Sequence, residues 1–207
     1  MIEVHHLNNS RSQRVLWALE ELGLDYRIVP HQRDPQTNLS PDSLKAVHPL
    51  GKSPVLSDGG RMYIESGAIL DYIVRTYGKG RLAPPESSPD YQRYVEWMHF
   101  AEGSAMLPVM LKLYSARLGE AGAPLLPRIH GEIENNFGFL DSELADHDYF
   151  VGDDLTAADI QLSFVIQAAR MLYTLDKFPN LAAFLQRIQA RPAYRRAIER
   201  GGAYAFG

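Results

Sequence analysis

The sequence predicts an α/β N-terminal domain followed by an all-α C-terminal domain. Strand-like apolar patterns occur in the first third of the 207-residue chain, where they alternate with helical patterns. A proline-rich stretch, Pro84–Pro89, separates them from a region in which the periodic segments have helical spacing. We therefore expect a first domain over residues 1–80, a linker over residues 81–89 and a helical domain over residues 90–207.

The first strand, helix and strand are read from apolar spacing. Ile2 and Val4 alternate with polar residues, which indicates a strand. Apolar residues at helical spacing follow and end at Gly23, a residue typical of a helix C-cap: Val15, Leu16, Ala18, Leu19 and Leu22. The second strand spans residues 26–29 and is closed by Pro30. This order predicts two parallel strands joined by a helical crossover.

The rest of the first domain contains two short strands between two helices. A short helix begins after Ser40-Pro41 and must stop near Pro49. Strands at residues 54–56 and 61–64 flank the turn-forming residues 57–60. Ser66 is then expected to cap a helix that ends at Gly78.

The second domain is predicted to contain five helices. The first spans residues 91–118 and should bend at Pro108, which lacks a backbone donor. Thr156 and Asp159 resemble a capping box at the start of the third helix. The others are expected over residues 127–144, 178–190 and 193–200.

Composition excludes several classes of function. The formal net charge is −4 and there is no long basic run, so no nucleic-acid partner is expected. No apolar stretch approaches the roughly 20 residues that span a bilayer, and we expect a soluble, cytoplasmic protein with no membrane partner. The seven histidines have no metal-ligand spacing, and the chain contains no cysteine, so no metal cofactor is expected.

Four segments together resemble the cytosolic glutathione transferase family. They are SRSQR at residues 10–14, HPLGKSPVL at 48–56, Glu65-Ser66 before a helix, and FVGD at 150–153 leading into LTAAD at 155–159. The resemblance covers essentially the whole chain. It implies a thioredoxin-like first domain that binds glutathione, a helical second domain, and a homodimer.

The resemblance assigns the segment before the third strand to glutathione binding. It implies that the bond before Pro54 is cis and that Ser53 pairs its backbone with the cysteinyl part of glutathione, as an added strand would. Lys52 would pair with the glycyl carboxylate. The residues alone also allow a trans proline that simply begins a strand and a solvated lysine.

Glu65 and Ser66 are the candidates for the γ-glutamyl end of glutathione. A helix N-terminus offers free N–H groups and favours an anion, so it and the Ser66 hydroxyl suit the carboxylate. Glu65 suits the ammonium group. The alternative is an ordinary cap whose acidic residue complements the helix dipole.

The absence of cysteine means that the reactive sulfur must arrive with glutathione. A free thiol has a pKa of about 8.5, so the protein has to lower this value. By resemblance to serine-type members, Ser10 would donate to the thiolate, with Arg11, Ser12 and Asn9 as further candidates and Ser12 expected to matter less. The alternative is that the serines only cap the first helix.

The second substrate is expected against the helical domain, and its candidates carry apolar or aromatic side chains. They are Trp97, Met98, Ala101, Met106, Met110 and Tyr204. Such residues at helical spacing are also typical of a core. The expected activity is conjugation of glutathione to apolar electrophiles, with peroxide reduction as a side activity. The alternative is a non-catalytic glutathione-binding or regulatory protein on the same fold.

Overall fold

The computed structural model describes residues 1–206 and confirms the predicted fold class. An α/β domain with a mixed sheet is joined to a helical domain. The elements before the linker are β1 (Ile2–Leu7), α1 (Ser12–Leu22), β2 (Tyr26–His31), α2 (Asp42–Val47), β3 (Val55–Asp58), β4 (Arg61–Ile64) and α3 (Ser66–Tyr77). The strand order is β2-β1-β3-β4, with β1 parallel to β2 and β3 antiparallel to both of its neighbours.

Two local features of the sheet follow from backbone chemistry. The β2 strand continues through Pro30 instead of ending there, because it lies at the edge of the sheet and needs no donor on its outer side. The β3–β4 turn uses Gly59 and Gly60, both with positive φ, as a tight two-residue hairpin turn requires.

The helical elements differ in detail from the prediction. They are α4 (Asp90–Phe100), α5 (Met106–Ala116), α6 (Leu126–Glu143), α7 (Ala157–Leu172), α8 (Pro179–Ala190) and α9 (Pro192–Gly201). A π-helical segment, Ala101–Ala105, interrupts the long helix that the sequence predicted. A proline ring inside a helix clashes with the carbonyl four residues earlier, and for Pro108 that residue is Ser104 of this segment.

The chain divides into two units, and the division differs from the predicted one. The first comprises Met1–Arg81 together with Gln189–Ala205, and the second comprises Leu82–Ile188 and Phe206. Helix α9 therefore belongs to the sheet-containing unit, where it packs on α1.

Ion pairs and an aromatic contact explain the placement of α9. Arg196 and Arg200 each donate to the buried Glu20 carboxylate at 2.8 Å. The rings of Trp17 and Tyr194 meet edge to face, with centroids 5.2 Å apart. These contacts bury one face of α1 and supply α9 with a partner.

The predicted capping box at the start of α7 is present. The Asp159 carboxylate accepts from the backbone N–H of Thr156 at 2.7 Å and from its hydroxyl at 2.8 Å. It also accepts from the backbone N–H of Phe150 at 2.9 Å. Asp159 is fully buried, and burial raises its pKa to about 6 against the opposing effect of these bonds.

We expect Thr156→Ala to lower the free energy of unfolding by about 1–2 kcal/mol, because it removes the cap of a buried helix. Urea denaturation would measure the loss. Thr76→Ala, at an exposed position of α3, is the matched control and should change stability by less than about 0.5 kcal/mol. Equal effects of the two substitutions would contradict a role for the cap.

Candidate active site

Three connections of the first unit converge at one edge of the sheet. His5 of β1 pairs with Val55 at the start of β3, and Val55 pairs with Ile64 at the end of β4. The turn after β1, the residues before β3 and the start of α3 therefore lie side by side. The predicted site residues of the first unit, from Ser10 to Ser66, lie on these three connections or next to them.

The segment before β3 is fixed to β1 through Ser53. The Ser53–Pro54 peptide bond is cis, as the resemblance implied, and Pro54 is buried. The Ser53 hydroxyl donates to the His5 carbonyl at 3.0 Å and accepts from the Leu7 N–H at 3.3 Å. The neighbouring Lys52 side chain is exposed, where a charged end group is accessible to a ligand.

The predicted thiol-binding residues form a buried polar cluster. The Ser10 and Ser12 hydroxyl oxygens lie 2.8 Å apart, and both side chains are buried. Ser10 also lies 3.4 Å from the Ser53 hydroxyl, which joins this cluster to the cis-proline segment. On its other side, the Ser12 oxygen lies 2.8 Å from Nδ1 of His6.

His6 connects the cluster to the C-terminal helix. Gly201, the last residue of α9, lies on the Nε2 side of the His6 ring. Burial lowers the pKa of His6 to about 4, an effect that the backbone of Gly201 opposes and that His31 reinforces. The imidazole is therefore neutral near pH 7.

The turn after β1 is held by an arginine from the loop after β2. The Arg33 backbone N–H donates to the Asn8 side chain at 2.8 Å, and the guanidinium donates to the carbonyls of Asn8 and Asn9 at 3.1 and 3.3 Å. Asn9 has a positive φ, which asparagine tolerates well. Its side chain accepts from the Ala205 N–H at 2.8 Å, and Arg11 follows, half-buried, at the start of α1.

The start of α3 differs from the predicted capping arrangement. Ser66 is the first residue of the helix rather than its cap, and Glu65 occupies the cap position with a φ of 66°. The buried Ser66 hydroxyl accepts from the Arg14 guanidinium at 3.0 Å. Arg14 is itself buried and cannot lose its proton, so it adds a fixed positive charge to the helix N-terminus. The Glu65 side chain is exposed.

Five of the six predicted second-substrate residues lie in the helical unit. Trp97, Ala101 and Met106 are buried in the helical unit, where the Trp97 ring packs against Phe150 at a centroid distance of 5.2 Å. Their burial is typical of core residues. Met98 and Met110 are half-buried in the same unit.

Tyr204 belongs to the first unit instead. There, burial raises the pKa of its hydroxyl, and Tyr194 and Arg14 act on it electrostatically. Its role toward a second substrate stays a prediction.

Two residues were missing from the predicted site. Arg14 was not among the candidates, although an arginine among the apolar positions of α1 is a signal for a buried charge. No sequence pattern points to His6, because its contact with Ser12 depends on the turn after β1. The described residues contain no group of three His, Asp or Glu side chains arranged to hold a metal ion, and no helix among them meets the length and hydropathy needed to cross a membrane.

Family models account for most of the chain. One, described as the glutathione S-transferase N-terminal domain, matches residues 4–86, and one for the C-terminal domain matches residues 98–192. The chain belongs to the glutathione S-transferase family. This confirms the resemblance, and confirms at the level of the family that the protein is a glutathione transferase enzyme.

Individual relatives extend this glutathione S-transferase assignment over the full length. Glutathione S-transferase 3 of Schizosaccharomyces pombe is 36% identical, over 97% of this chain and 88% of its own. A glutathione S-transferase structure from Actinobacillus pleuropneumoniae, 33% identical, covers 100% of this chain and 95% of its own with a TM-score of 0.92. A sphingomonad glutathione S-transferase complexed with glutathione is 26% identical. Its structure covers 97% of this chain and 98% of its own, with a TM-score of 0.80.

Proposed function

We propose that this glutathione S-transferase binds glutathione at the sheet edge and conjugates its thiolate to apolar electrophiles. One observation carries the proposal: the Ser10–Ser12 pair, the Ser53–cis-Pro54 segment and the charged start of α3 adjoin one another. The structural relative complexed with glutathione supports this choice of ligand.

Each part of glutathione has a matching group at this edge. The γ-glutamyl carboxylate faces the N-terminus of α3, where Ser66 and the buried Arg14 charge favour an anion. The exposed Glu65 carboxylate pairs with the γ-glutamyl ammonium. Ser53 pairs its backbone with the cysteinyl part, and Lys52 pairs with the glycyl carboxylate.

The thiol then lies at the Ser10 end of the serine pair, with Arg11 contributing positive charge nearby. Stabilised as a thiolate, the sulfur attacks an electrophilic carbon, and a carbon–sulfur bond replaces the bond to the leaving group. Peroxide reduction is a proposed side activity: two glutathione molecules supply the two electrons and leave as the disulfide. The apolar electrophile is proposed to bind against the helical unit.

The direct test is an assay of the purified protein with glutathione and an activated aryl halide, alongside calorimetric titration with glutathione. Binding and turnover together support the proposal. Binding without turnover across several electrophiles would favour the alternative, a glutathione-binding or regulatory protein. No binding would overturn the assignment of the sheet edge.

Family membership also leads us to propose a cytoplasmic homodimer. In the first unit, β4 is an edge strand, and its Met62 and Ile64 side chains are exposed, which suits a contact with a second copy. Light scattering should give about twice the chain mass of 23.3 kDa. A clean monomer at micromolar concentration would contradict this expectation.

A further inference from the structure

One side chain from the loop after β2 holds the turn that carries Ser10. The Arg33 guanidinium donates to the carbonyls of Asn8 and Asn9 at 3.1 and 3.3 Å. Its third nitrogen donates to the Asn38 carbonyl at 3.0 Å, and the Arg33 backbone N–H donates to the Asn8 side chain at 2.8 Å. Arg33 therefore joins its own loop to the turn after β1 through a set of four hydrogen bonds.

Both segments that Arg33 joins contain an asparagine in the left-handed region. The φ angle is 50° at Asn9 and 58° at Asn38. Asparagine tolerates this conformation, which persists where the surrounding structure fixes it. The loop after β2 closes on itself, because the Asp34 N–H donates to the Leu39 carbonyl at 2.9 Å and the Asn38 N–H donates to the Asp34 carbonyl at 2.8 Å. It is a support from which Arg33 reaches the turn at Asn9.

The contact with Asn9 acts directly on the backbone of Ser10. The Asn9 carbonyl belongs to the same planar peptide unit as the Ser10 N–H. A guanidinium bonded to that carbonyl therefore sets the orientation of the peptide and the point from which the Ser10 side chain leaves it. The Ser10 hydroxyl lies 2.8 Å from the Ser12 hydroxyl and 3.4 Å from the Ser53 hydroxyl. Rotation of the peptide would displace the hydroxyl from both neighbours.

The charge of Arg33 is a second, separable contribution. Its contacts with neutral carbonyls do not cancel the charge, and the adjacent Asp34 carboxylate is engaged in its own loop, where it accepts from the N–H groups of Gln36 and Thr37 at 3.1 and 2.7 Å. Burial lowers the pKa of Arg33, and the positive charge of Arg11 at the start of α1 lowers it further. Both guanidiniums stay charged at neutral pH, so this side of the turn favours a negative sulfur.

We propose that Arg33 is a positioning residue for thiolate formation, whose guanidinium holds the Asn9–Ser10 peptide so that the Ser10 hydroxyl faces the sulfur of bound glutathione. The proposal rests on the proposed function. The shape of the side chain carries this role, because a guanidinium presents its donors in a fixed planar fork, whereas a lysine ammonium is a point charge on a flexible stem. Arg33→Lys therefore keeps the charge and removes the fork.

The pKa of the bound glutathione thiol, followed by thiolate absorbance against pH, tests this role. We expect Arg33→Lys to raise that pKa by about one unit, the lower end of the effect of losing a hydrogen bond to the thiolate, and Arg33→Gln to raise it at least as much. Turnover at neutral pH should fall about tenfold and recover at higher pH. Binding of S-methylglutathione, which has no thiol proton, should change by less than about threefold.

The matched control is another arginine of the same unit. Arg27→Lys changes an exposed residue of β2 that pairs with Glu3, and it should leave the thiol pKa at the wild-type value. A double-mutant cycle then shows whether Arg33 acts through Ser10. Arg33→Lys should add little to the shift that Ser10→Ala causes, because that variant has no hydroxyl left to position.

The possible outcomes separate this proposal from the proposed function. A wild-type thiol pKa in Arg33→Lys would overturn the positioning role, and so would an equal shift by Arg33→Lys with and without the Ser10 hydroxyl. The lysine variant and the cycle cover the case in which Arg33→Gln does not fold. Wild-type protein that does not bind glutathione, or whose bound thiol titrates at the free value, would overturn the proposed function itself.

Discussion

Replacing Ser10 by alanine is expected to raise the pKa of the bound glutathione thiol by about one to two units. A hydrogen bond to a charged group contributes about 1.5–3 kcal/mol, and about 1.36 kcal/mol corresponds to one unit of pKa. Turnover at neutral pH should fall about 10- to 100-fold and recover as the pH rises, because the thiolate returns. The affinity for glutathione should change less, since Lys52, Ser53, Glu65 and Ser66 are proposed to supply the other contacts.

The control for this substitution has to be another serine of the same unit. Ser57→Ala in β3 is suitable, because Ser57 is half-buried and its neighbour in the β1 ladder is Glu3. The thiol of glutathione bound to the Ser57→Ala variant should titrate as it does in the wild-type complex. If Ser10→Ala also leaves the titration in place, the helix N-terminus and backbone N–H groups stabilise the thiolate, and Ser10 only accepts from the Ser12 N–H at the start of α1.

The second large effect is expected at the start of α3. Glu65→Gln together with Ser66→Ala should weaken glutathione binding by about 2–5 kcal/mol, since each change removes a polar partner of a charged group. This corresponds to a loss of affinity of about 30-fold or more, measured by calorimetry. Unchanged affinity would place the γ-glutamyl group elsewhere.

The two single substitutions should differ in their effect on stability. Glu65 is exposed, so Glu65→Gln should lower affinity and leave the free energy of unfolding nearly unchanged. Ser66→Ala also removes the acceptor of the 3.0 Å bond from buried Arg14, and should cost about 1–3 kcal/mol of stability. Urea denaturation of both variants separates recognition from folding.

The sequence predicted the elements whose determinants are local. The turn at Gly59–Gly60, the capping box of α7 and the succession of strands and helices along the first domain follow from residues close together in the chain. The grouping of Ser10, Ser53 and Ser66 required the family resemblance, because sequence spacing alone does not bring three loops to one edge.

The features that were not predicted depend on contacts between distant parts of the chain. Helix α9 joins the first unit because Arg196 and Arg200 reach Glu20, which lies at the other end of the sequence. His6 and Gly201, which lie next to each other in the structure, are likewise far apart in the sequence. The sequence predicted that Ser12 would matter less than Ser10, whereas its position between Ser10 and His6 makes it unsuitable as a neutral control.

The central claim is that this site converts bound glutathione into its thiolate. The most direct measurement is the ultraviolet absorbance of the wild-type complex with glutathione, followed against pH. We expect the thiol to titrate at least about one unit below its free pKa of about 8.5. A complex whose thiol titrates at the free value would contradict the account.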